Sequence, residues 1–262
     1  MPELELDDVT LNYRVDGRPD GPPVVFANSL GTNLHLWDGV IARLPDNLRI
    51  IRYDKRGHGE SSIPDAPYKM GTLIRDTERL LDHLEVRDCV FVGLSIGGMI
   101  AQGLAIKRLD LVRAMVLSNT GAKIATQKMW DDRIATLRSE GLGAMANEIM
   151  VRWFSRRYRD TPDLTQWRDM LIATPEEGYA GCCAAIAGTD FYSTTAEMTL
   201  PTLGIAGTED GATPPDLVRE TVGLIKGSQF HLMRGVGHLP CAEAPDEYAK
   251  VLGEFLESIG HI

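Results

Sequence analysis

Cysteine is scarce in this chain: Cys89, Cys182, Cys183 and Cys241 are the four among 262 residues. Their spacing fits no metal-ligand pattern, and four are too few to staple a chain this long, so neither a disulfide scaffold nor a metal site is expected. Cys182 and Cys183 stand in a run of small residues, 180–187, and read as buried thiols. Basic charge is also short. Lys plus Arg number 27 against 37 Asp plus Glu, a formal charge of −10. An acidic surface repels phosphates and anionic lipid heads, so no nucleic acid and no membrane partner is expected. Long apolar runs are missing as well. Residues 89–106 carry no charge, but they include Gly93, Ser95, Gly97, Gly98, Gln102 and Gly103, and a bilayer-spanning helix needs a longer, more apolar stretch. The acidic start, Met1-Pro2-Glu3-Leu4-Glu5-Leu6-Asp7-Asp8, lacks the basic and apolar regions of a signal peptide. A cytoplasmic location is the resulting expectation. No internal repeat or low-complexity segment is present.

What the chain does have is an ordinary globular composition, 44% hydrophobic and 24% charged, at a length that can bury a sizeable core. Residues 11–15 alternate with period two and read as a strand with one wet face. Residues 24–27, 49–53, 90–92 and 114–117 are short apolar runs of the kind found in buried parallel strands. Residues 202–206 and 230–233 look like further strands. Helical spacing appears over 32–44, 70–84, 96–107 and 245–259. This alternation predicts an α/β fold with a mostly parallel sheet and helices on both faces. Residues 121–195 break the rhythm with several helical patterns and no clear buried strand. The expected organisation is a core of residues 1–120 and 196–262 with a helical cap inserted at 121–195. The cap is nearly neutral on an acidic body.

The strongest chemical signal is Gly93-Leu94-Ser95-Ile96-Gly97-Gly98, placed where a buried strand ends and a helix begins. Gly-x-Ser-x-Gly in that context is a nucleophile elbow: the flanking glycines let the backbone turn sharply and lift the serine hydroxyl to the mouth of the sheet. A serine needs a base. Of six histidines, His238 is best placed, in Gly235-Val236-Gly237-His238-Leu239-Pro240, after the last strand and before the last helix. His231 falls within a strand, His261 at the tail, and His35 and His83 inside helical patterns. A carboxylate must orient the base. Asp210 follows the strand at 202–206, with Glu209 as its rival. The order Ser95, Asp210, His238 is the one this architecture uses. A fourth part, an oxyanion cradle, is expected where Asn28-Ser29-Leu30-Gly31 follows the strand at 24–27. There the backbone N–H groups of Leu30 and Ile96 face one point beside Ser95.

These residues resemble the α/β-hydrolase superfamily over nearly the whole chain. The matching pieces include Asn28-Ser29-Leu30-Gly31-Thr32, Tyr53-Asp54-Lys55-Arg56-Gly57-His58-Gly59-Glu60-Ser61 and Gly93-Leu94-Ser95-Ile96-Gly97-Gly98-Met99. Within it, the chain is most similar to 3-oxoadipate enol-lactonases, with Trp130-Asp131-Asp132-Arg133-Ile134, Gly141-Leu142 and Arg152-Trp153-Phe154 adding to the likeness. By analogy His58 belongs to a structural turn. The resemblance implies a five-membered enol-lactone bearing a carboxylate, opened through an acyl-serine with no metal or organic cofactor. An anionic substrate on an acidic body needs a local cation, and arginine binds carboxylate bidentately. Among the cap arginines, Arg133 is expected to be the anchor, since it lies one turn from Trp130. Trp130 and Trp153 are expected to wall the pocket, with Ser29 also against the substrate. Other esters, lactones or C–C bonds of β-diketones fit the same triad, as does halogenation by relatives. A non-turnover receptor on this fold is the alternative of another class.

Overall fold

A computed structural model describes residues 2–262. Its strands are β1 (Glu3–Glu5), β2 (Thr10–Gly17), β3 (Pro23–Ala27), β4 (Arg49–Tyr53), β5 (Cys89–Leu94), β6 (Val112–Ser118), β7 (Thr202–Gly207) and β8 (Gln229–Met233). They form one eight-stranded sheet in the order β1-β2-β4-β3-β5-β6-β7-β8. β2 runs antiparallel to β1 and β4; every pair from β4 through β8 is parallel. This is the α/β class with a mostly parallel sheet that the sequence predicts. Every residue of β5 and β7 is buried, as strands covered on both faces must be.

Helices α1 (Asp38–Ile41), α2 (Met70–His83) and α3 (Ile96–Lys107) belong to the first half. α2 buries Leu73, Ile74, Leu80 and Leu81 on one face, each contributing roughly 1.5–3 kcal/mol relative to exposure. α3 is buried nearly all round, from Ile96 to Ala105. Between β6 and β7 stand α4 (Gln127–Glu140), α5 (Leu142–Trp153), α6 (Arg156–Arg159), α7 (Leu164–Ile172), α8 (Glu176–Ala187) and α9 (Tyr192–Thr195). The chain closes with α10 (Pro215–Gly223), α11 (Pro240–Glu243) and α12 (Pro245–Ser258). No helix among the described residues is long and apolar enough to cross a membrane.

One local expectation is corrected. The helix expected over 32–44 is a 3-10 turn, Leu34–Trp37, followed only by the short α1. Asn33 and Asp54 explain the tight start: Asn33 Oδ1 accepts from His35 N at 3.0 Å, and Asp54 Oδ1 accepts from Leu34 N at 2.7 Å. Gly39 and Pro45 then disfavour a longer helix. β1 has only three residues, too few to show a period, and α10 is absent from the expected helices although its buried Val218, Thr221 and Val222 stand at helical spacing.

Candidate active site

Ser95 sits between the last residue of β5 and the first of α3, with φ 58° and ψ −119°. That region is unfavourable for a residue with a Cβ and costs about 1–3 kcal/mol. Neighbours hold it there. Ser95 N donates to Ser118 O at 3.0 Å, and Thr120 Oγ1 donates to Ser95 O at 2.6 Å. The turn also needs α3 to lie hard against β3. A Cβ on Gly97 would stand 2.2 Å from Ala27 O, so Gly97→Ala must push the helix off the sheet. It is expected to cost about 1–3 kcal/mol and to lower the midpoint of thermal unfolding, followed by circular dichroism, by several degrees. An unchanged midpoint would show that this contact yields freely.

His238 and Asp210 meet from two other strand ends. His238 Nδ1 lies 2.9 Å from Asp210 Oδ2, and both side chains are almost fully buried. Asp210 Oδ1 accepts from Ala212 N at 2.7 Å and Thr213 N at 2.9 Å. Its Oδ2 also accepts from Thr213 Oγ1 at 2.8 Å and Asn119 Nδ2 at 2.9 Å. Burial alone would raise the Asp210 carboxyl. The His238 imidazole and these donors outweigh burial and hold the group below its ordinary value. The rival Glu209 faces elsewhere: its Oε2 accepts from Arg156 N at 2.9 Å. His58 is buried behind the site, where its Nε2 accepts from Gly31 N at 3.0 Å. Burial draws its imidazole well below the usual range, which suits a neutral acceptor.

Ser95 and His238 line one cavity, together with Ser29 and Leu30. No hydrogen bond joins Ser95 to His238 here; in hydrolases that contact often tightens only with substrate bound. The N–H groups of Leu30 and Ile96 have no protein acceptor among the described residues. Ile96 opens α3, so its N–H belongs to the positive end of that helix. Gly31 has φ 74°, and a Cβ there would meet Leu171, Tyr179 and Trp153, so the loop after β3 is pressed against the helices above it.

The helices between β6 and β7 supply much of the cavity: Trp130, Arg133, Ile149, Arg152, Trp153 and Tyr179. Arg133 Nε and Nη2 donate to Tyr179 Oη at 3.0 and 2.6 Å, and its guanidinium stands over the rings of Trp130 and Tyr179. Neither Arg133 nor Arg152 is paired with a carboxylate among the described residues, whereas Arg138 is paired with Glu177. Arg156, Arg157, Arg159 and Arg168 do not line the cavity. Trp130 also bonds inward, Nε1 to Ile124 O at 2.7 Å. Ser29 Oγ is buried without a hydrogen-bond partner.

Several residues that shape this site were not foreseen. Asn119, at φ 46° just past β6, bridges Asp210 and Gly237 O; its position at a strand end was the available signal. Thr213 Oγ1 lies 3.2 Å from His238 Nδ1 as well as on Asp210. The end of α5 is tied to both loops: His238 N donates to Trp153 O at 2.7 Å, and Gly211 N to Arg152 O at 3.1 Å. Glu243 accepts from Gly237 N at 2.8 Å and Ser155 N at 3.0 Å, and burial pushes its carboxyl above the ordinary value. No motif announces these ties.

This architecture and geometry have close counterparts. A family profile described as alpha/beta hydrolase fold matches residues 22–245. The chain is 39% identical over 212 residues to 3-oxoadipate enol-lactonase 2 of Acinetobacter baylyi, covering 80% of this chain and 79% of that protein. It is 31% identical over 252 residues to 3-oxoadipate enol-lactonase 1 of the same organism, covering 95% and 94%. The crystal structure of the enol-lactonase from Burkholderia xenovorans LB400 matches with a TM-score of 0.94 at 35% identity, covering 98% of this chain and 100% of that one. The chain thus belongs to the α/β-hydrolase fold family, and within it is similar to 3-oxoadipate enol-lactonases.

Proposed function

We propose that the protein opens 3-oxoadipate enol-lactone to 3-oxoadipate, with Ser95 as nucleophile, His238 as base and Asp210 as its orienting carboxylate. The observation that carries this reading is one cavity holding both the strained serine and a guanidinium, Arg133, that has no carboxylate of its own. The family relatives named for this reaction support it. A cytoplasmic setting and a role in aromatic catabolism belong to the same proposal, as does residues 121–195 acting as the cap.

In this mechanism His238 Nε2 takes the proton of Ser95 Oγ as the oxygen attacks the lactone carbonyl. The N–H groups of Leu30 and Ile96 bind the resulting oxyanion. Collapse breaks the ring C–O bond and expels the enol oxygen, which His238 reprotonates; the enol settles as the ketone. An enolate leaves far more readily than an alkoxide, so little assistance is needed. Water, deprotonated by His238, then attacks the acyl-serine and frees the second carboxylate. Arg133 would hold the side-chain carboxylate between Trp130 and Tyr179, with Trp153 and Ser29 closing on the ring.

The decisive assay is spectrophotometric loss of freshly generated, muconate-derived enol-lactone beside hydrolysis of a short acyl aryl ester. The lactone is expected to be much the better substrate; a clear preference for the neutral ester would overturn the substrate assignment. Arg133→Ala sharpens the same test. Losing a charge-assisted contact should raise KM for the lactone by roughly 10- to 100-fold while leaving the neutral ester nearly unchanged. Equal effects on both would make Arg133 a packing residue.

A further inference from the structure

The chemistry above leaves the presence of Lys55 at this site unexplained. It follows β4 and is buried behind the loop that carries Leu30. Its Nζ donates to Ser29 O at 2.7 Å and, more weakly, to Thr32 O at 3.4 Å. Both acceptors are neutral carbonyls. The neighbouring Asp54 spends its oxygens on Leu34 N, Asn12 Nδ2 and Glu60 N. A buried ammonium without an ion-pair partner is expensive, and a neutral side chain of similar length would pack there at less cost.

The carbonyl it holds belongs to the peptide whose other end is the Leu30 N–H. That peptide is trans, so its C=O and N–H point in opposite directions. Fixing Ser29 O on Lys55 therefore turns the Leu30 N–H away from the protein interior behind it. Thr32 adds two further bonds to Ser29 O, from Oγ1 at 3.0 Å and from its N–H at 3.4 Å, and His58 holds the next N–H, that of Gly31. A cation on the carbonyl also polarises the amide and makes its N–H a stronger donor, since linked hydrogen bonds reinforce one another where the dielectric is low.

We propose that Lys55 is a positioning residue for the oxyanion site: bonded to Ser29 O, it orients and polarises the Ser29–Leu30 peptide so that the Leu30 N–H stabilises the tetrahedral intermediate. This deepens the serine-hydrolase reading and rests on it, but not on the identity of the lactone. Burial draws the Lys55 ammonium down to about 8, and the titratable groups that face it are Asp54, His58 and Cys182.

The test compares Lys55→Met, which removes the bond and the charge, with Lys55→Gln, which keeps a neutral donor. Both are assayed with a short acyl p-nitrophenyl ester and with the enol-lactone, and for inhibition by a small alkyl boronic acid, whose tetrahedral adduct mimics the intermediate. In Lys55→Met, kcat should fall roughly 10- to 100-fold on both substrates, somewhat less than loss of an oxyanion donor itself. KM should stay within about twofold, and boronate affinity should fall in step with kcat, because only the transition state uses the contact. Lys55→Gln should lie between Lys55→Met and the parent. A folded Lys55→Met protein with kcat within about twofold of the parent would overturn the proposal, as would a KM that rises as much as kcat falls. If Lys55→Met does not fold, the same criteria apply to Lys55→Gln. Ester turnover surviving in Ser95→Ala would instead remove the serine mechanism beneath the proposal, which keeps the two failures apart.

Discussion

Ser95→Ala is expected to lower turnover by roughly 10⁴-fold or more, because in the proposed mechanism Ser95, His238 and Asp210 act as a unit. The substitution is a clean one. Alanine has the same Cβ, so it meets the same unfavourable φ of 58° as the serine, and the backbone bonds to Ser118 and Thr120 do not involve the hydroxyl. Stability should barely change while the attacking oxygen is gone. A fluorophosphonate probe should label the parent stoichiometrically and leave Ser95→Ala unlabelled. Activity near the parent's, with the label still incorporated, would place the nucleophile elsewhere.

Asp210→Asn should cost roughly 10³- to 10⁴-fold in kcat, by the effect of losing the histidine's orienting carboxylate. One carboxylate oxygen faces two backbone N–H groups, and the other faces Asn119, Thr213 and His238. An asparagine can turn its oxygen to only one of these sets. Its NH₂ then meets donors, and His238 is forced toward the wrong tautomer. The carboxyl of Asp210 is held below its ordinary value, so the sign of its linkage to folding is set. Its contribution is present above the ordinary carboxylate range and is lost as pH falls through the depressed folded value. Chemical denaturation should therefore show the Asn variant destabilised at pH 7, with the gap to the parent closing in strong acid. A gap that is constant or widens on acidification would mean that the carboxylate is not ionised in the folded protein.

Much of this site was legible because its parts obey local rules. A strand buried on both faces reads as a largely apolar run; 24–27 and 90–92 are unbroken, and 202–206 carries Thr202 and Gly204. The loops that follow β3, β5 and β7 were therefore locatable, and with them Leu30, Ser95 and Asp210. Gly93 and Gly97 mark the sharp turn because only a missing Cβ permits it. Asn119 and Thr213 carry weaker signals. Thr213 meets Asp210 from three positions away within one turn, but no motif marks it; Asn119 stands at a strand end, and its role comes from touching Asp210 across 91 positions. Lys55 is one letter of the stretch 53–61 that carries the family resemblance, and nothing local says that its Nζ reaches Ser29. The choice among cap arginines was equally non-local: helical spacing joined Arg133 to Trp130, but only the packing of α4 against α8 brings it to Tyr179.

The order of strands and helices, the sharp turn at Ser95 and the acidic body were written in the chain itself, because each follows from periodicity, glycine sterics or simple charge. Which guanidiniums face the cavity, the arrival of Asn119 and His238 beside the local donors on Asp210, and what stands behind the Leu30 peptide were decided by tertiary packing. Side chains far apart in sequence acquire their electrostatic partners only when the sheet and the helices between β6 and β7 are assembled, and no local pattern encodes a contact of that kind.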